Sequence, residues 1–491
     1  MSGSLRTIAA APAARRDTAI WTWPSLAIYG TIFALFVTLV LRAFTVSGPT
    51  GWAVGWAYIG YDTLLLTFTF WQTLPLRHGP SRNGPSRNVS ARAKIDVNST
   101  TYLPSLGVII AAYNEGLVLE ATIRALLVQS DPPDEIIVAD DGSTDNTAAV
   151  MLATFGLAPP VTGNLSEASA MAPGLRWLRV VHGGKATALN AALALLTTEV
   201  FVTVDADTKL EPDALASMRR AFGAELDLVA ATGILQPVCG KGFSARLLEA
   251  FQSYEYMRSF LFRYAWMSQN SLLLVSGAFA GYRRLAVNDV GGFDPDSLVE
   301  DYDVMNRLLR HSGDFGLGWK SAVVGGAVAT TSAPATPIAF MRQRRRWFGG
   351  FLQTQYRFRA MVGDYHYGRL GLLMLPITAI ESLHALYGLF AFGLLLSYLA
   401  GGHWSILVPV GGLIIAKVIA DVAFQAWSVN IYRRWLNRPT GLSPMLAITS
   451  SLLEPFTFQL LRNSAAVWGW VFMLSGKGEW GVQHRHTADA D

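Results

Sequence analysis

The chain reads as an α/β domain with a mostly parallel sheet, inserted between apolar helices at both ends. Three observations predict this. Short β-branched runs alternate with helical segments from about residue 105 to 231, and such alternation implies parallel strands covered by helices. The chain is 51% hydrophobic and only 15% charged, and the apolar excess lies at the two ends while the middle has the composition of a water-soluble domain. Acidic and glycine-rich motifs close successive strands, where open α/β sheets bind ligands. The net charge of +4 is not gathered into a nucleic-acid-binding stripe. Its basic residues flank apolar spans, as at a cytoplasmic membrane face. Cys239 is the single cysteine, so no intramolecular disulfide can form, which suits a reducing compartment.

Taken in order, residues 1–24 form a basic tail with Arg6, Arg15 and Arg16, expected to be disordered. Residues 25–76 hold two spans. Ser25 to Val46 is nearly all apolar and long enough to cross a bilayer. It is too long for a signal-peptide core and lacks a small-x-small cleavage site. A turn at Gly48-Pro49-Thr50-Gly51 leads to the second span, Trp52 to about Leu76, with Trp and Tyr near its ends. Arginines before the first span and after the second place both flanks in the cytoplasm. Residues 77–100 repeat Gly-Pro-Ser-Arg-Asn and read as a linker able to touch anionic headgroups.

Residues 101–336 are the expected catalytic domain. Strands are expected at Leu106–Ala112, Glu135–Ala139, Leu178–Val181, Val200–Val204 and Asp227–Ala231, and helices at Leu117–Val128, Thr144–Ala153 and Ala186–Leu196. Residues 243–268 and 337–360 are amphipathic and aromatic, and fit helices lying in the membrane interface or packing on the core; residues 337–369 are taken as interfacial. Residues 370–475 return to apolar spans, at Leu370–Leu399 and from Ile406 to about Val429. Arg433, Arg434 and Arg438 follow the second and put that loop in the cytoplasm. Glu454, Pro455 and Arg462 interrupt residues 442–474, leaving either one span plus an interfacial helix or a short hairpin. Residues 476–491 are a tail.

The chemistry gathers at strand ends. Asp205 and Asp207 close the strand Val200–Val204. One residue apart on extended backbone, they point the same way and can hold a hard divalent ion, Mg2+ or Mn2+, which in turn holds a diphosphate. Ala112-Tyr113-Asn114-Glu115 closes the first strand; Tyr113 can stack on a base, and Asn114 or Glu115 can bond its edge. Asp140-Asp141-Gly-Ser-Thr-Asp145 closes the second, offering Asp140 or Asp141 to a uracil imide or ribose, or a turn with a helix cap. Gly183-Gly184-Lys185 opens a helix, where the backbone can approach a ligand and phosphate is welcome. Its spacing is not that of an ATP-binding P-loop. His182, His311, His366, His384 and His403 show no metal-ligand spacing and read as structural.

These motifs, in this order, resemble the processive inverting glycosyltransferases of family 2. That group includes cellulose, hyaluronan, chitin-oligosaccharide and poly-N-acetylglucosamine synthases. Val299-Glu300-Asp301 matches the family's Thr-Glu-Asp with Val for Thr, and Gln343-Arg-Arg-Arg346-Trp347 fits its Gln-x-x-Arg-Trp pattern. The resemblance implies a nucleotide-sugar transferase domain of GT-A type. It implies Asp301 as the base on the acceptor hydroxyl, Glu300, Gln343, Trp347 and Ser276 at the acceptor, and Arg346 on the leaving diphosphate. The rival reading of Asp301 is a helix N-cap. The glycine-rich and Ser276-Gly-Ala-Phe segments look most like the poly-N-acetylglucosamine and chitin-oligosaccharide branch, so the expected donor is UDP-N-acetylglucosamine. The expected partners are that donor, a growing polysaccharide and membrane lipids, with room for export or regulatory subunits and no nucleic acid. The expected location is the plasma (inner) membrane, multi-pass, with the catalytic domain cytoplasmic. The alternative is a non-processive transferase acting on a lipid carrier.

Overall fold

The computed structural model describes residues 20–46, 48–78, 102–436 and 444–475. Most of the basic tail, nearly all of the 77–100 linker and the C-terminal tail lie outside these residues. The chain opens with α1 (Trp23–Thr45) and α2 (Ala53–Thr73). It continues through β1 (Leu106–Ala112), α3 (Leu119–Leu127), β2 (Glu135–Asp140), α4 (Thr147–Phe155), β3 (Leu175–Arg179), α5 (Lys185–Leu195) and β4 (Val200–Asp205). These four strands run parallel in the order β3-β2-β1-β4. Both faces are covered, and the alternation along β1 shows how. Val108, Ile110 and Ala112 join the cluster containing α3 and α4, while Ile109 joins the cluster containing α5. A strand buried on both faces is apolar throughout, which is why β1, β2 and β4 stand out in the sequence.

The second half of the sheet departs from that pattern. After β5 (Thr208–Leu210), α6 (Ala214–Ala224), β6 (Leu228–Val238) and α7 (Phe243–Met267) comes β7 (Phe279–Arg283), followed by α8 (Arg284–Asp289), α9 (Glu300–Phe315) and β8 (Lys320–Ser332). The sheet has eight strands, in the order β3-β2-β1-β4-β7-β6-β8-β5. β7 is antiparallel to both β4 and β6, β6 is parallel to β8, and β5 is antiparallel to β8. Phe279–Arg283, not expected as a strand from the sequence, therefore supplies a central one. Gly281 makes this possible: a Cβ there would come within 2.8 Å of Phe222 and 3.0 Å of Met218. β3 starts at Leu175 rather than Leu178, because Arg176 is exposed while Leu175 and Trp177 are buried.

The remaining helices are α10 (Pro337–Arg357), α11 (Leu375–Ala400), α12 (Trp404–Leu436), α13 (Pro444–Leu453) and α14 (Phe458–Leu474). Among the described residues, three helical runs are long and apolar enough to cross a membrane: α1, Leu370–Ala400 and α12. α2 falls below that mark, since its 21 residues include Asp62, Gln72 and four threonines. The ambiguous C-terminal stretch resolves into α13, a single turn at Glu454–Phe456 and α14. α7 packs on the core through Tyr254, Met257, Phe260 and Leu261, while Phe243 at its start is 85% exposed. α10 lies against α14 with backbones in contact: a Cβ on Gly469 would be 2.6 Å from the Arg345 carbonyl oxygen.

Candidate active site

Local folding rules bring the strand-end motifs together. Asn114 adopts a left-handed φ of 55°, which turns the chain out of β1. Its backbone N–H donates to Ser143 Oγ at 2.9 Å, and its Oδ1 accepts from Thr144 N at 2.8 Å. Asn114 thus ties the β1 turn to the β2 turn. Asp140 is 1% exposed and accepts from Ser143 N at 2.8 Å, with Arg179 Nε 3.9 Å from its other oxygen. It holds the turn from behind and does not line the cleft.

Asp141 takes the opposite role. Its two oxygens accept from Gly183 N at 2.8 Å and Gly184 N at 2.9 Å, and His182 Nδ1 lies 2.8 Å from Oδ2. The glycine pair is therefore clamped to the β2 turn. His182, read from the sequence as structural, lies on the cleft and stacks on Tyr113 with ring centroids 4.3 Å apart and planes 22° apart. No spacing rule could find it, because the contact joins loops about seventy residues apart in the chain.

The clamp delivers Lys185, the first residue of α5, to the floor of the cleft. Lys185 Nζ lies 2.7 Å from Asp205 Oδ1 and 3.1 Å from Glu300 Oε1. Burial pulls this ammonium down, but Asp205, Glu300 and Asp301 together outweigh it and hold its pKa above the ordinary lysine value. Two of its three donors thus point at carboxylates. Asp207 follows Asp205 across a turn anchored by Thr122 Oγ1, which donates to Ala206 O at 2.7 Å.

Asp301 lies in the first turn of α9, whose N-cap is Val299, so the N-cap reading of Asp301 is set aside. Its Oδ2 accepts from Gly277 N at 2.7 Å, and its Oδ1 from Tyr302 N at 2.8 Å. Burial and the neighbouring Glu300 push its pKa above the ordinary carboxylate value, against the pull of Lys185 and these backbone donors. Gly277 keeps this contact close, as a Cβ would meet Asp301 Oδ2 at 3.0 Å and Lys185 Nζ at 3.2 Å. Ser276 beside it accepts from Arg263 Nη1 of α7 at 2.8 Å.

α10 brings the Gln-x-x-Arg-Trp residues over this floor. Arg346 Nη1 donates to Leu298 O at 3.3 Å, next to the start of α9. Gln343 Oε1 is buried without a hydrogen-bond partner among the described residues. Glu115, Asp205, Asp207 and every other sequence-predicted residue except Asp140 line one cavity of about 1250 Å³. That cavity continues between the helices, past Asp62 of α2, Glu381 and His384 of α11, and Arg462 of α14.

Comparison with known proteins finds glycosyl transferases. The family described as "Glycosyl transferase family 2" matches residues 107–291, and "Glycosyl transferase family group 2" matches residues 200–475. Poly-beta-1,6-N-acetyl-D-glucosamine synthase of Staphylococcus epidermidis is 27% identical over 49% of this chain and 53% of its own length. The Staphylococcus aureus (strain COL) synthase is 28% identical over 53% of this chain and 58% of its own. The chain thus spans little more than half the length of these curated relatives. A mannosyltransferase of Pyrobaculum calidifontis, solved with GDP-Man and Mn2+, has a TM-score of 0.54 over 90% of this chain and 100% of that one, at 19% identity. The likeness to it is one of fold.

Proposed function

The chain belongs to glycosyl transferase family group 2, and on that premise we propose that it transfers N-acetylglucosamine from UDP, with inversion, to a growing β-linked polysaccharide that moves on between its membrane helices. One observation carries the reading: Asp205, Asp301 and Trp347 face a single cavity that continues into the helix bundle. The acceptor hydroxyl attacks the anomeric carbon, its proton passes to Asp301, and the bond to UDP breaks. Each Asp301 oxygen accepts one backbone N–H and keeps a lone pair for that proton. The Tyr113–His182 stack and Asp141 suit a pyrimidine base at the far edge, and Arg346 suits the departing diphosphate. Trp347 offers an aromatic face to the acceptor sugar.

The donor set at β4 fits a hard divalent ion. Asp205 and Asp207 are oxygen ligands of the kind that bind Mg2+ or Mn2+ together with substrate phosphates. No group of three His, Cys, Asp or Glu side chains placed to hold a metal occurs among the described residues, so Asp205 and Asp207 would hold the ion together with the substrate diphosphate. When bound, the ion would neutralise charge on the leaving group. In this reading the enzyme lies in the plasma (inner) membrane, with its catalytic domain on the cytoplasmic side where nucleotide sugars are made.

The test is a panel of UDP-sugars with purified protein, followed by linkage analysis. UDP-N-acetylglucosamine should be turned over in Mg2+ or Mn2+, and a chelator or Asp207→Asn should abolish transfer. Full activity in chelator would remove the metal from the scheme, and preference for another UDP-sugar would replace the donor.

A further inference from the structure

The cavity wall between sheet and helix bundle holds a charged node outside the chemistry described so far. Glu255 of α7 pairs through Oε2 with Arg344 of α10, and its Oε1 lies 3.8 Å from Arg462 Nη1 of α14. All three side chains face the cavity. Arg344 is only 4% exposed, and its guanidinium carbon stands 4.1 Å from the Trp347 ring centre and 4.8 Å from that of Phe340. Trp347 packs partly against the core and also lines the cavity, so a ligand ring there would meet the indole that Arg344 holds. Beyond Arg462 the contacts continue. Its Nη2 donates to Gln459 Oε1 at 2.8 Å, and Gln459 Nε2 donates to Tyr58 Oη at 2.8 Å. Tyr58 stacks on His384 with centroids 4.4 Å apart.

The electrostatics single out Glu255. A buried arginine requires a counter-charge, and two arginines converging from different helices repel unless a carboxylate lies between them. Glu255 is that carboxylate, and sharing it fixes the Arg344 guanidinium against one face of Trp347. We infer that Glu255 is a positioning residue for the acceptor: through Arg344 it sets the cavity-lining indole of Trp347 to receive the sugar ring. The transferase reading above enters only as the identity of that ligand.

A double-mutant cycle tests this. Glu255→Gln, Trp347→Ala and the double variant are each assayed for UDP affinity and for glycan elongation. UDP affinity should be unchanged throughout. Elongation should fall by roughly ten- to a hundredfold in Glu255→Gln, the range for a misplaced binding group, and the double variant should be no worse than Trp347→Ala alone. Glu255→Asp keeps the charge and should recover part of the loss. Additive losses, or UDP affinity falling in step with elongation, would overturn the inference. The same cycle is read as affinity for a short β-linked N-acetylglucosamine oligomer in detergent, a measurement that does not depend on turnover. Absence of transfer by the unmodified protein would then count against the function alone. An oligomer that fails to bind it, or that binds Glu255→Gln equally well, would count against Glu255.

Discussion

Asp301 shows what a single side chain gains from its surroundings. Burial and Glu300 raise its pKa, so it holds a proton more tightly than a free carboxylic acid, as suits a base acting near neutral pH. Asp301→Asn preserves shape and removes the acceptor of the proton. Transfer should fall by roughly two to four orders of magnitude while UDP binding, followed by calorimetry, barely changes. Loss of UDP binding in step would make Asp301 a donor-site residue. The pH dependence follows from the direction of the shift. The base works only when ionised, so the acid limb of kcat/KM should lie above the ordinary aspartate value of about 4. Glu300→Gln removes a like charge and should move that limb to lower pH. Stability runs the opposite way: with its pKa raised on folding, Asp301 contributes fully below the unfolded value and loses that contribution as pH rises through the folded one. At this scale the sequence picks out candidates that stand close together in the chain, as in Asp205 to Asp207 and Gln343 to Trp347. It read His182 as structural and did not mark Glu255, because both stand out only through contacts between distant segments.

Among the elements, glycine decides where helices and strands can meet. Gly325 lies mid-strand in β8, where a Cβ would come within 2.4 Å of Trp435 Nε1, so this glycine lets the end of α12 pack on the sheet. The Gly325-Gly326 pair also erased β8 from the sequence pattern, because glycine lowers strand propensity and breaks the apolar alternation. Among the strands expected from the sequence, β1, β2 and β4, buried on both faces, were read with nearly their full bounds, whereas β3 and β6 were read only in part. The crossing of α10 and α14 rests on the same device. A Cβ on Gly469 would meet Arg345 O at 2.6 Å and Gly349 N at 2.9 Å, backbone atoms that cannot rotate away. Gly469→Ala should therefore destabilise the fold by about 1–3 kcal/mol, the usual range for overpacking, and lower the thermal midpoint in detergent. Gly411→Ala, with nothing within 4 Å of the added Cβ, is the control and should leave the midpoint in place. Equal midpoints would mean that α10 and α14 are not held at this contact.

Across the whole molecule, a sheet edge and a helix bundle share one cavity. The sequence indicated both parts: a parallel-sheet domain in the middle and apolar helices at each end. It did not reveal their junction, which is made by α7, α10, α14 and the turn before α14 through interactions such as Arg258 with Glu454 and Arg344 with Glu255. On the proposed reading this cavity would hold the growing product, whereas a transferase adding one sugar to a carrier would release it after each addition. The decisive measurement is product length at early time, with purified protein in lipid vesicles and radiolabelled UDP-N-acetylglucosamine in modest supply. Processive transfer predicts long chains while most enzyme molecules have yet to start. A product confined to single additions, or lengthening in step across all molecules, would contradict the account.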